Sequence, residues 1–103
     1  MKVLIVFAHP NPQSFNHAIL DAFTKGLAEG GHTYEVVDLY AIRFNPCLDV
    51  EDLTKLTAGK VPDDIKAQQE KVARAEAIVF IHPVWWAGPP AILKGWIDRV
   101  FSM

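Results

Sequence analysis

Two short, unbroken apolar runs frame the chain, VLIVF at residues 3–7 and AIVFI at residues 77–81. Each is too short to span a membrane and continuous rather than alternating, the pattern of a parallel strand buried on both faces. Between them the period changes. Phe15, Ile19, Phe23 and Leu27 recur every four residues after Ser14, which predicts a helix that Gly30 and Gly31 close with a left-handed C-terminal cap. Residues 33–40 are rich in β-branched and aromatic side chains, with Tyr34 and Val36 on one face and Glu35, Val37 and Leu39 on the other. The polar interruptions Glu35 and Asp38 suit an edge strand. Residues 41–61 hold no sustained period and predict a loop with one helical turn over 50–56, longer than the ordinary connection of about 4 to 6 residues. Pro62 and Asp63 open a further helix, with Ile65, Gln69, Val72 and Ala75 on its apolar face. After the second apolar run, Pro89 and Pro90 pre-set a last helix, in which Ile92, Trp96 and Val100 adjoin Leu93, Ile97 and Phe101 as two rows.

The predicted order is βαβαβα, which calls for a parallel sheet with right-handed crossovers and helices on both faces. Residues 1–103 make one domain, small enough to bury about two thirds of its unfolded surface. Ten basic against 12 acidic residues leave a net charge of -2, so no electrostatic footprint for nucleic acid or an anionic membrane appears. The first apolar run ends in His9 and Pro10 and does not read as a secretion signal, so a cytoplasmic protein without membrane insertion is expected. Cys47 has no partner for an internal disulfide and reads as an ordinary loop residue. His9, His17, His32 and His82 show no metal spacing, and no metal is assigned.

Candidate chemistry sits on two loops. In AHPNPQSFN, residues 8–16, a strand leads through a short loop to a helix start, whose free N–H groups favour an anion. Ser14 and Asn16 there suit either helix capping or a phosphate oxygen. The loop lacks GxGxxG and GxxxxGK, so it is neither a dinucleotide fingerprint nor a Walker A loop. On the second loop, Trp85 and Trp86 offer a flat apolar wall for a planar ligand, or else cap the core.

Three blocks, VFAHPNPQSFNHAIL (6–20), DLYAIRFNP (38–46) and IHPVWWAGPPAILKGWIDRVF (81–101), resemble the NAD(P)H:quinone oxidoreductase family of flavodoxin-like flavoproteins. That family includes bacterial quinone reductases and modulators of drug activity. The resemblance implies an α/β fold, a flavodoxin-like doubly wound parallel sheet, of which this chain supplies the first three strands in order 2-1-3 with flanking helices. It implies FAD or FMN as cofactor and NAD(P)H as co-substrate, with two-electron transfer to a quinone or similar small-molecule acceptor. His9, Ser14, Phe15 and Asn16 match the loop that holds the flavin's phosphate or pyrophosphate. Pro83, Val84, Trp85, Trp86 and Ala87 match the loop that lines its ring. Family members run to about twice this length, and their Gly-rich third loop and Tyr/His pair have no counterpart here, so no catalytic residue is assigned and the domain reads as truncated. The resemblance extends to flavin-binding regulatory subunits of potassium efflux systems, and an inactive truncated relic is a further reading. A third strand with a free apolar edge predicts a homodimer, or completion of the sheet by another polypeptide.

Overall fold

The computed structural model describes residues 1–102. Three parallel strands, β1 (Lys2–Phe7), β2 (Thr33–Asp38) and β3 (Ala77–Ile81), form one sheet of order β2-β1-β3. Four helices flank it: α1 (Phe15–Glu29), α2 (Val50–Thr57), α3 (Asp63–Arg74) and α4 (Ala91–Ser102). β1 is central. It pairs from Lys2 opposite Thr33 to Phe7 opposite Asp38 on one side, and from Val3 opposite Ala77 to Phe7 opposite Ile81 on the other. Alternation then divides its side chains between two cores. Val3, Ile5 and Phe7 meet Leu20, Phe23 and Leu27 of α1, whereas Leu4 and Val6 share a cluster with Ile65 of α3 and Leu93, Trp96 and Val100 of α4. Helices on both faces make the sheet doubly wound.

Three expectations need correction. β3 is not buried on both faces, because only β1 pairs with it, and Phe80 is 39% exposed at the resulting edge. The helical row beginning at Phe15 is outward-facing at its start, with Phe15 80% exposed, since the apolar side chains of α1 that pack on the sheet are Leu20, Phe23 and Leu27. Residues 41–61 hold the eight-residue α2, about two turns rather than one. Asp49 caps it by accepting the Glu51 and Asp52 amides. The glycine cap of α1 forms as expected, with Gly31 at φ +79°.

α2 presents no apolar face to the body. Val50, Leu53 and Leu56 are exposed, and its one buried side chain is Asp52. Arg99 on α4 holds that side chain. Its Nε donates to Asp52 Oδ2 at 2.7 Å and its Nη2 to Asp52 Oδ1 at 3.0 Å. The same guanidinium donates to Asp64 Oδ2 at 2.6 Å and Oδ1 at 3.3 Å, and to the Asn45 carbonyl at 2.9 Å. All five of its N–H donors are thus engaged, and the Phe44 ring centroid lies 5.6 Å from Cζ. One side chain ties α2, α3, α4 and the Phe44–Asn45 segment together. Gly95 permits the approach, because a Cβ there would overlap Pro46.

The hydrogen bonds from Arg99 hold the Asp52 carboxyl below its ordinary value, outweighing burial, and Asp52 and Asp64 hold Arg99 above its own. Arg99→Met should destabilise the protein by about 3–5 kcal/mol in urea unfolding, because it strands a buried carboxylate. A loss under about 1 kcal/mol would show the clasp to be ornamental. With its folded value depressed, Asp52 contributes stability above its ordinary 3.8 and loses it as pH falls through the lower folded value, so Asp52→Asn should flatten the acid limb of the stability curve.

Candidate functional site

At the carboxyl end of the sheet the Ala8 N–H donates to the Ile81 carbonyl at 3.1 Å, and the Leu39 N–H to the Phe7 carbonyl at 3.0 Å. The first of these bonds brings the loops after β1 and β3 together at one edge, where open α/β sheets bind ligands. The first loop is folded by its own polar groups. The Asn11 N–H donates to His9 Nδ1 at 3.0 Å, and the Gln13 N–H to Asn11 Oδ1 at 2.9 Å. Ser14 is the N-cap of α1, its Oγ accepting the His17 N–H at 3.2 Å. The amides of Phe15 and Asn16 fall in the first turn, where no intrahelical acceptor exists, and the positive end of the helix dipole adds to their pull on an anion.

The second loop is a tight hairpin. Pro83 leaves β3 partly buried, with its carbonyl 2.8 Å from His82 Nδ1. Trp85 and Gly88 then exchange backbone hydrogen bonds of 3.0 and 3.2 Å, with Trp86 at φ +52° and Ala87 at φ +59° between them. Positive φ at both central positions is the condition of a type I′ turn, usually met by Asn and Gly. Two residues bearing Cβ atoms meet it here, at a cost of about 1–2 kcal/mol each. The turn holds Trp86 fully in solvent and leaves Trp85 45% exposed and Val84 at the surface. Neither Trp85 nor Trp86 belongs to a core cluster.

Of the residues expected from sequence, the structure brings His9 and Trp85 together edge to face, with ring centroids 6.1 Å apart. Ser14 and Asn16 sit partly buried at the start of α1, and Phe15 points outward. Sequence reasoning does not reach His17. Its Nδ1 lies 2.9 Å from Ser14 Oγ and its Nε2 3.9 Å from Asp38 Oδ2, at the end of β2. Its ring packs on Phe7 at 4.4 Å and faces His9 at 6.5 Å. Only the spacing of three residues after a capping serine signals this in the sequence. A cavity of about 240 Å³ between Lys2, Tyr34, Glu35, Lys71 and Arg74 lies at the amino ends of β1 and β2 instead. Among the described residues no three His, Cys, Asp or Glu side chains gather to hold a metal, and no helix is long and apolar enough to cross a membrane.

Strand order β2-β1-β3, helices on both faces and two loops meeting at the carboxyl edge after β1 and β3 define a flavodoxin-like α/β protein. The family described as flavodoxin-like fold matches residues 1–103, and the chain belongs to it. It is 42% identical over 103 residues to an uncharacterized NAD(P)H oxidoreductase of Haemophilus influenzae, covering 99% of this chain and 51% of that protein. A solved NAD(P)H:quinone oxidoreductase from Methanothermobacter marburgensis superposes with a TM-score of 0.91 at 46% identity, covering 98% of this chain and 53% of the other. General stress protein 14 of Treponema denticola, solved in complex with FMN, superposes with a TM-score of 0.67 at 25% identity, covering 100% and 49%. The chain therefore spans about half the length of the relatives it matches.

The strain in the hairpin is measurable. Ala87→Gly should raise stability by about 0.5–1 kcal/mol in denaturant unfolding, because glycine adopts positive φ without a Cβ clash. A loss of stability would mean that the turn does not hold Ala87 in the left-handed region.

Proposed function

We propose that this chain forms the flavin-holding half of a cytoplasmic NAD(P)H:quinone oxidoreductase, with FMN or FAD bound between the start of α1 and the Trp85–Gly88 hairpin. The observation that carries the reading is the 6.1 Å approach of His9 to Trp85, which sets an anion-favouring helix start beside a flat aromatic wall. A flavin has these two parts, a phosphate and a planar ring, and the residues fit both. Ser14, Asn16 and the first-turn amides of Phe15 and Asn16 would hold the phosphate or pyrophosphate, with His9 alongside. Pro83, Val84, Trp85, Trp86 and Ala87 would line the ring. The amides of Trp86 and Ala87 stand outside the hairpin's own pair of bonds, which leaves them to stabilise negative charge on a neighbouring group. When bound, the flavin supplies the redox chemistry, taking hydride from NAD(P)H and passing two electrons to a quinone-like acceptor. The names of the relatives and the FMN complex support this reading.

Titration with FMN or FAD should quench tryptophan emission, and replacing Trp85 and Trp86 by alanine should abolish the effect. With two loops contributing, the affinity should be micromolar or poorer, no more than about 8 kcal/mol, and NAD(P)H turnover with a quinone should fall well below about 10 per second. Flavin retained stoichiometrically through dialysis would show that two loops make more than a half-site, and no quenching at all would contradict the reading.

The reading includes a partner along β3. The free edge of AIVFI carries no lysine or proline to block pairing, and Phe80 and Phe101 are exposed beside it, their rings 6.0 and 5.4 Å from that of Trp96. A second copy or another polypeptide completes the sheet there. Gel filtration with light scattering should show association, whereas a monodisperse 11.5 kDa species at tens of micromolar with cooperative unfolding would refute it.

A further inference from the structure

Between Lys2 and Lys25 the chain has no lysine or arginine, so the only side chains there able to carry positive charge are His9 and His17. His17 touches the capping serine directly. Ser14 Oγ accepts the His17 backbone N–H at 3.2 Å and lies 2.9 Å from His17 Nδ1, while Nε2 faces the Asp38 carboxylate at 3.9 Å. The other ring near it with a titratable group is that of His9, at 6.5 Å, and the β1 residue against it, Phe7, is uncharged. On its own helix the next charged group is Asp21, one turn on.

These contacts give Ser14 two states. In neutral His17 the Asp38 carboxylate favours the proton on Nε2, so Nδ1 accepts the Ser14 hydroxyl proton and the serine has no donor left for an anion. In the imidazolium Nδ1 donates to Ser14 Oγ, the serine accepts two bonds, and its own proton turns free toward the loop. We propose that His17 is a proton-linked positioning residue of the phosphate site: binding of a phosphate takes up a proton at His17 and releases the Ser14 hydroxyl to donate to it. The inference rests on the flavin reading only for the identity of the phosphate's owner.

Linkage fixes the sign. A ligand that favours the protonated form binds more tightly as pH falls, by roughly tenfold per pH unit at most. FMN should therefore bind several-fold more tightly near pH 6 than near pH 8, against the opposing trend of its own phosphate, whose second ionisation lies at about 6. His17→Asn keeps a donor toward Ser14 but does not titrate, so that variant should show only the ligand's own trend. Imidazole ¹⁵N spectra of the unaltered chain give a second readout, since added inorganic phosphate should shift the His17 nitrogens toward imidazolium values whether or not the ring site accepts flavin. FMN binding with the same pH profile in His17→Asn, or His17 nitrogens unmoved by phosphate that binds, overturns the role of His17 and leaves the flavin reading intact. Phosphate shifting His17 without any flavin binding supports the inference and removes the flavin reading. If neither ligand binds at any pH, both fall.

Discussion

Parallel pairing on both sides of β1 is the constraint from which the rest of this structure follows. Strands running the same way need crossovers, and right-handed crossovers that run one way from β1 to β2 and back the other way from β2 to β3 place helices on opposite faces. All strands then end at one edge, so the loops after β1 and β3 meet there. The unbroken apolar run of β1 states the same constraint in sequence, because both of its faces are covered.

What the sheet does not organise, Arg99 does. Within the excursion between β2 and α3, Leu39 and Phe44 join the core, but α2 turns its leucines outward. A buried guanidinium contributes stability only when its donors are all met, and Asp52, Asp64 and the Asn45 carbonyl meet them. Electrostatics thus fixes the part of the chain that hydrophobic burial leaves loose, on the same sheet face that α3 and α4 cover.

The legibility of the sequence follows the same division. Strands β1 and β3, helices α1, α3 and α4 and their order were readable because each carries an unbroken apolar run or a helical period that burial imposes. The second turn of α2 was not, because an ion pair rather than an apolar row anchors it, although an arginine inside the apolar helix ILKGWIDRVF hinted at a buried partner. The exposure of Phe15 was likewise hidden, since a row of period four does not say where the helix meets the sheet, whereas the free edge at Phe80 was expected from the missing fourth strand. For the candidate site, the two loops were legible from their residue types, and the contact of His9 with Trp85 was not, as it depends on register. His17 and Asp38 lie 21 positions apart and meet only through β-strand pairing, beyond the reach of local pattern.

In the proposed function the two loops, which meet where His9 faces Trp85, form one site for a single ligand. Backbone amide shifts during an FMN titration test it most directly. The amides of Phe15 and Asn16 and those of Trp86 and Ala87 should move together along one binding curve. Movement of one loop alone, or shifts concentrated around Lys2, Tyr34 and Arg74 at the opposite end of the strands, would contradict it.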